Sequence, residues 1–337
     1  MIVVMEEGAT EHQIQTVIDR MIDLDFTVHR STGQSLTVIG GVGPEDRVDP
    51  VDLEGLAGVK VCHRIESPYK LAHRHFRPEG GVIRVGKAEI GSTAIALAAG
   101  PSLIENRRQI ERVAGIVAEA GGQILRGRCD PVRPGFAEPE PIEPALEMLR
   151  LAADAHGLGV LAEACDPAQT PLIAQFADII QVSSQNMQNF RLLGAVRAAG
   201  KPVLLRRGVS ATLEELLISA EFVLTAGNYD VMVCECGIRT FESHTANTMD
   251  IGAIPTLRKW SHLPVLADPS RGSGRRDKVI PMALAAAAAG AHGLLIELHP
   301  DPDHARADGG QALSPAQFLE LAARLRQLAP AVGRTFG

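Results

Sequence analysis

Aromatic side chains are scarce in this 337-residue chain: one Trp, two Tyr and nine Phe make up 4% of it. That is thin material for a platform on which nucleobases stack. A net charge of −7 also offers no field for a polyanion or an anionic membrane surface. No apolar run approaches the roughly twenty residues of a membrane span, and no secretory signal pattern is visible. The five cysteines, Cys62, Cys129, Cys165, Cys234 and Cys236, form an odd set without CxxC spacing. They fit a reducing cytoplasm better than a disulfide framework. The expectation is a cytoplasmic protein with no nucleic-acid or membrane partner, whose arginine clusters serve a small anionic substrate.

What is present is strongly patterned. Ile2–Met5, Thr27–Arg30, Ser35–Ile39 and Val59–Cys62 read as strands, with helical periodicity over Glu11–Ile22 and Val51–Leu56. This βαββαβ order is that of a small ferredoxin-like domain, 1–66. Residues 67–80, rich in Pro, His and Arg, read as a connector, in which "HRHF" (73–76) is expected to be solvated. From 81 to 337, after a hairpin (Val82–Val85, Ala88–Ile90), strand and helix alternate eight times. Apolar strands each followed by a helix mean a parallel sheet covered on both faces. Eight such units mean a (β/α)8 barrel, whose chemistry lies past the C-terminal strand ends.

The polar residues at those ends are Ser102, Arg126, Glu163, Gln185, Arg206 with Arg207, Glu235, Asp268 with Arg271, and Glu297, with Asp308 further along the last loop. Any one of them could merely cap a helix. A whole ring of carboxylates and arginines is a site. Within "LADPSRGSGRRDKV" (266–279), Arg271 could pair with Glu297 or Asp308, turn to solvent, or hold a substrate carboxylate. Arg275 and Arg276 open a helix, where backbone N–H groups also attract anions, so one of them is expected to face an anionic substrate group, the alternative being a pair with Asp277. Glu163 is either a general base raised by burial or a partner for Arg126. Cys234 and Cys236 share a strand face and suit small core positions. His292 lies at the wrong barrel end for catalysis, whereas His299 and His304 lie in the right loop.

Stretches such as "AGPSLIE" (99–105), "QNFRLL" (188–193), "KPVLLRRG" (201–208), "GIRTFE" (237–242), "SHLPVLADPS" (261–270) and "GAHGLLIELHP" (290–300) resemble the DAHP synthases, in particular the class with an N-terminal ferredoxin-like domain. The resemblance covers essentially the whole chain. It implies a (β/α)8 barrel that condenses phosphoenolpyruvate with erythrose 4-phosphate in the shikimate pathway, using a divalent metal, in a homodimer or homotetramer.

Against that family pattern, the metal-ligating Cys position is Ser102 and the His position is Arg271, while Glu297 and Asp308 match. The positions that carry basic residues for phosphoenolpyruvate hold Pro131, Gln185, Arg206 and Cys236, with Arg126 kept. Of the segment that helps hold erythrose 4-phosphate, Pro131-Val132-Arg133-Pro134 here, Arg133 alone matches. A hydroxyl is a poor transition-metal ligand and a guanidinium is none. The expectation is therefore no metal or other cofactor, with catalytic Arg271, Glu297, Asp308 and Glu163. Arg126, Arg133, Gln185, Arg206, Asp268, Arg275 and Arg276 would bind substrate. The chemistry is expected to be redirected to a small carboxylated acid, enolpyruvyl-bearing or shikimate-like. The alternatives are an authentic 3-deoxy-7-phosphoheptulonate synthase, for which a divalent metal would be the cofactor, and a non-catalytic sensor or partner subunit.

Overall fold

A computed structural model describes residues 1–33, 36–44, 48–129 and 141–337. The chain opens with β1 (Ile2–Met5), α1 (Glu11–Asp23), β2 (Thr27–Thr32), β3 (Thr37–Val42), α2 (Pro50–Glu54) and β4 (Val59–His63). The four strands form an antiparallel sheet in the order β2-β3-β1-β4. Helix α1 starts at a reciprocal cap between Thr10 and Gln13 and buries Ile14, Val17 and Met21 on one side. Its face meets Val3, Met5, Ile39 and Leu53, a core of its own.

The segment after β4 is packed, not solvated. Phe76 and Leu71 are fully buried, and Phe76 lies near the rings of Tyr229 and His262. An apolar ring between two polar residues was bound to seek the nearest core. A short antiparallel hairpin follows, β5 (Ile83–Val85) and β6 (Ala88–Ile90).

Eight parallel strands then close into a barrel: β7 (Ala96–Gly100), β8 (Ile124–Gly127), β9 (Gly159–Ala164), β10 (Ile179–Val182), β11 (Val203–Arg206), β12 (Val231–Glu235), β13 (Val265–Ala267) and β14 (Gly293–Glu297), with β14 paired to β7. Around them lie α3 (Arg107–Glu119), α4 (Glu143–Asp154), α5 (Thr170–Phe176), α6 (Phe190–Ala198), α7 (Leu213–Leu224), α8 (Ala253–Trp260), α9 (Pro269–Ser273), α10 (Arg276–Ala288) and α11 (Pro315–Ala331). Strand alternation sorts the apolar side chains. Leu295 of β14 faces inward with Leu161, Leu204 and Met232, while Leu294 and Ile296 face the helices. Ile83, Val85, Ala88 and Ile90 of the hairpin join the inner cluster, so the hairpin plugs the barrel's N-terminal end. Gly100 has a steric reason to be glycine, because a Cβ there would lie 1.9 Å from the Arg126 carbonyl oxygen. Among the described residues, no helix is long and apolar enough to cross a membrane.

Candidate active site

The C-terminal strand ends open on a cavity of about 360 Å³ whose walls include Ser102, Arg126, Glu163, Gln185, Arg206, Arg271, Glu297 and Asp308. The folded chain thus gathers eight residues singled out in the sequence from seven strand ends and the loop that follows β14. Arg133, with Pro131, Val132 and Pro134, lies outside the described residues.

Two buried ion pairs organise the walls. Arg206 at the end of β11 donates from Nη2 to Asp268 Oδ2 at 2.5 Å, and neither side chain is more than 6% exposed. Asp268 also caps α9, accepting from the Arg271 amide through Oδ1 at 2.9 Å. Asp268 therefore supports the cavity from behind and does not line it. Burial works against the Arg206 charge, but Cys236, Asp268, Cys234 and Glu163 hold its proton, keeping the guanidinium well above its ordinary range. The Arg206 Nε–Cys236 Sγ distance is 3.2 Å. Burial would raise that thiol, yet the Cys234 hydrogen bond and the Arg206 charge bring it below its usual value. Cys234 and Cys236 are both fully buried, as core positions should be.

Arg126 on β8 approaches Glu297 on β14 with Nη1 3.5 Å from Oε1, and both side chains are 3% exposed. The other Glu297 oxygen accepts from Gln311 Nε2 at 2.8 Å. Burial, opposed by Arg126 and assisted by the carboxylates of Asp268 and Asp308, pushes the Glu297 carboxyl up to about 7. A carboxyl poised there both gives and takes a proton at neutral pH. Glu163 accepts from Gln181 Nε2 at 2.5 Å and meets Cys165 Sγ at 3.5 Å, so its partners are these two side chains and not Arg126.

Asp308 stands at φ 52°, a backbone region few residues adopt. It is followed by Gly309, where a Cβ would collide with the Pro302 carbonyl oxygen at 2.1 Å. The turn presents the Asp308 carboxylate to Ser102, whose Oγ donates to Oδ2 at 2.5 Å. The Arg271 guanidinium reaches only to 4.0 Å from Oδ1 of Asp308, with its side chain 41% exposed. The expected tight pair of Arg271 with Glu297 or Asp308 is therefore loose on one side and absent on the other, because Arg126 already occupies Glu297. That leaves Arg271 free to meet a ligand.

Other expected site residues have structural work. Arg207 pairs with Glu235 at 2.9 Å and Asp250 at 3.0 Å, turned away from the cavity, and Glu235 is fully buried there. Arg275 pairs with Asp277 at 3.0 Å on the surface. Arg276 binds Asp303 at 2.8 Å and the Gly309 carbonyl at 2.8 Å. Neither faces the cavity; α10 starts beside the last loop, so Arg276 fastens the turn that carries Asp308. His292 accepts the Val265 amide at 2.9 Å, a structural role. His299 sits 3.4 Å from Glu105 and His304 2.9 Å from Asp301; neither lines the cavity. The sequence reading missed Arg128, which lines the mouth half-buried and whose Nε has no partner among the described residues.

Comparison with known proteins follows the same lines. Residues 81–333 match the family model of the DAHP synthetase I family, and residues 1–67 that of the DAHP synthase ferredoxin-like domain. A phospho-2-dehydro-3-deoxyheptonate aldolase of Thermotoga maritima is 43% identical over 334 residues, 99% of both chains. The crystal structure of that type of enzyme, a DAHP synthase from Thermotoga maritima, superposes with a TM-score of 0.80 over 100% of this chain and 99% of the other. A 2-dehydro-3-deoxyphosphooctonate aldolase of Nitrobacter hamburgensis is 27% identical over 72% of this chain and 91% of its own.

These likenesses correct the expectation of chemistry redirected to a different acid. That expectation gave Ser102, Arg271, Pro131, Gln185 and Cys236 the deciding vote, against a likeness that runs through both domains of the Thermotoga enzyme. It also undercounted the cations at the mouth, where Arg126, Arg128, Arg206 and Arg271 together exceed the three carboxylates of Glu163, Glu297 and Asp308.

Proposed function

This chain belongs to the DAHP synthetase I family, and on that premise we propose that it condenses phosphoenolpyruvate with erythrose 4-phosphate, as a 3-deoxy-7-phosphoheptulonate synthase of the shikimate pathway. The observation that carries the reading is the full-length identity to the Thermotoga aldolase, supported by a mouth in which four guanidiniums surround a polar cavity. Phosphoenolpyruvate brings about three negative charges, and each charge-assisted contact is worth roughly 1.5–3 kcal/mol. Arg206, fixed by the buried Asp268 carboxylate, and Arg126, packed beside the Glu297 carboxyl, give rigid anion contacts; Arg128 and Arg271 add less constrained ones. As the CH2 carbon of the enol joins the aldehyde carbon, negative charge gathers on the aldehyde oxygen, while water adds to the phosphate-bearing carbon and inorganic phosphate then leaves from it. Protonated Glu297 is the group in this cavity able to discharge it at neutral pH.

The divalent metal implied by the resemblance does not fit these residues. Ser102 spends its proton on Asp308, Glu297 holds a proton up to about pH 7, and Arg271 brings a guanidinium to within 4.0 Å of Asp308. No group of three His, Cys, Asp or Glu side chains suited to a metal occurs among the described residues. The reading includes the division into domains at 1–66, 67–80 and 81–337, a cytoplasmic location and a homo-oligomeric assembly.

The test is direct. Purified protein mixed with both substrates is expected to release inorganic phosphate and form the seven-carbon product, each only when both substrates are present. Absence of product across pH 6–8, with and without added divalent ions, would defeat the proposal.

A further inference from the structure

A second polar cavity, of about 340 Å³, lies at the opposite end of the barrel, with Arg74, Glu79, Gly81, Arg258, Lys259 and His262 among its walls. It sits between the segment joining the two domains and the end of α8, far from the strand ends that carry the site above. Three permanent cations face it. The Arg258 guanidinium lies across Gly290, its Nη1 2.0 Å from where a Cβ would stand. Among the described residues, neither Arg258 nor Lys259 has a carboxylate within ion-pair distance, and Glu79 is the one acid in the wall. Burial first, and then the Arg258 charge, holds Arg74 below its ordinary value. Burial, then Arg258, Arg334 and Arg74, brings neighbouring His292 down to about 3. Unbalanced positive charge gathered at one place in a chain of net charge −7 attracts an anion.

An independent observation points into the same space. His262 is 2% exposed, and its Nε2 lies 2.7 Å from the Leu71 carbonyl oxygen, so Nε2 carries the hydrogen. Its Nδ1 has no partner and lies 3.5 Å from the point a Gly81 Cβ would occupy. A buried ring nitrogen left open towards a cationic cavity suits an oxygen that can share a proton. Inorganic phosphate does both things required at once, its dianion answering more than one cation while its remaining P–O–H donates to Nδ1; a phosphomonoester offers that donor as its monoanion. A simple monocarboxylate does neither as well.

We propose that this cavity binds a small phosphate-bearing ligand, inorganic phosphate or a phosphomonoester, at a site separate from the barrel mouth. Because Arg74 and Glu79 belong to the joining segment and Arg258 and Lys259 to α8, the bound phosphate ties the ferredoxin-like domain's tether to the barrel.

Calorimetric titration of the full chain with inorganic phosphate, and separately with glycerol 3-phosphate, tests this. The parent is expected to keep a phosphate site in the Arg128→Ala/Arg271→Ala variant, which weakens the mouth. Arg258→Glu and Lys259→Glu, both at exposed positions, are expected to weaken that site at least tenfold while condensation activity stays at the parent level. A phosphomonoester at least tenfold tighter than inorganic phosphate identifies the ester as the ligand; equal affinities identify phosphate itself. The proposal is overturned if Arg258→Glu, melting like the parent without ligand, binds both probes as the parent does. It is equally overturned if all phosphate binding vanishes in the mouth variant.

Discussion

Two arginines that look alike in the sequence, Arg206 and Arg271, differ sharply in the folded chain. Arg206 is buried against Asp268, so Arg206→Ala strands a carboxylate with no exposed surface and should cost about 3–5 kcal/mol. Arg271 is 41% exposed and 4.0 Å from its acid, so Arg271→Ala should cost under about 1 kcal/mol while weakening substrate binding. Denaturant unfolding of the two variants checks the contrast; equal losses would contradict it. Glu297 yields a pH signature. Its folded pKa is raised to about 7, so its acid form is present below that value and is lost above it. Condensation through protonated Glu297 should therefore fall as pH rises through about 7, with Glu297→Gln slower by roughly 10²–10⁴-fold and lacking that limb. The same raised pKa means that the folded state loses stability relative to the unfolded state as pH climbs from about 4.5 towards 7. The ring itself was legible, since residues at barrel strand ends must face the mouth. The pairings were not, because a guanidinium reaches across strands that sequence spacing does not relate. Arg128 could have been found: it lies two residues after Arg126, on the same face at strand period.

At the scale of elements, alternating apolar strands and helices announced the barrel, and the structure shifts most strand ends by only one to three residues. The segment after β4 was misread, because its polar composition hid what pins it. Glu221 on α7 is 8% exposed and accepts the amides of Lys70, Leu71 and Ala72 at 2.7–2.9 Å. A carboxylate in the middle of a helix, 150 residues away from its partners, gives no sequence signal. Glu221→Ala leaves three amides without an acceptor, two of them on fully buried residues. At roughly 1–3 kcal/mol each, it should cost about 3 kcal/mol or more, and it should speed amide exchange at 70–72. Unchanged exchange there would contradict that role for Glu221.

For the whole molecule, the lesson is one of weight. The departures at Ser102, Arg271, Pro131, Gln185 and Cys236 are chemically meaningful, and they bear on how the reaction is run. They do not outweigh identity through both domains as a guide to which reaction it is. On the proposed reading, Arg126, Arg128, Arg206 and Arg271, together with the proton on Glu297, stand in for the lost ligands. The most direct measurement is product formation from isotopically labelled phosphoenolpyruvate and erythrose 4-phosphate by chelator-stripped protein, repeated after adding back Mn²⁺. The account predicts the seven-carbon product at a comparable rate in both samples. No product in either sample contradicts the proposed reaction, and product only after Mn²⁺ is restored contradicts the arginine-and-carboxyl reading of the mouth.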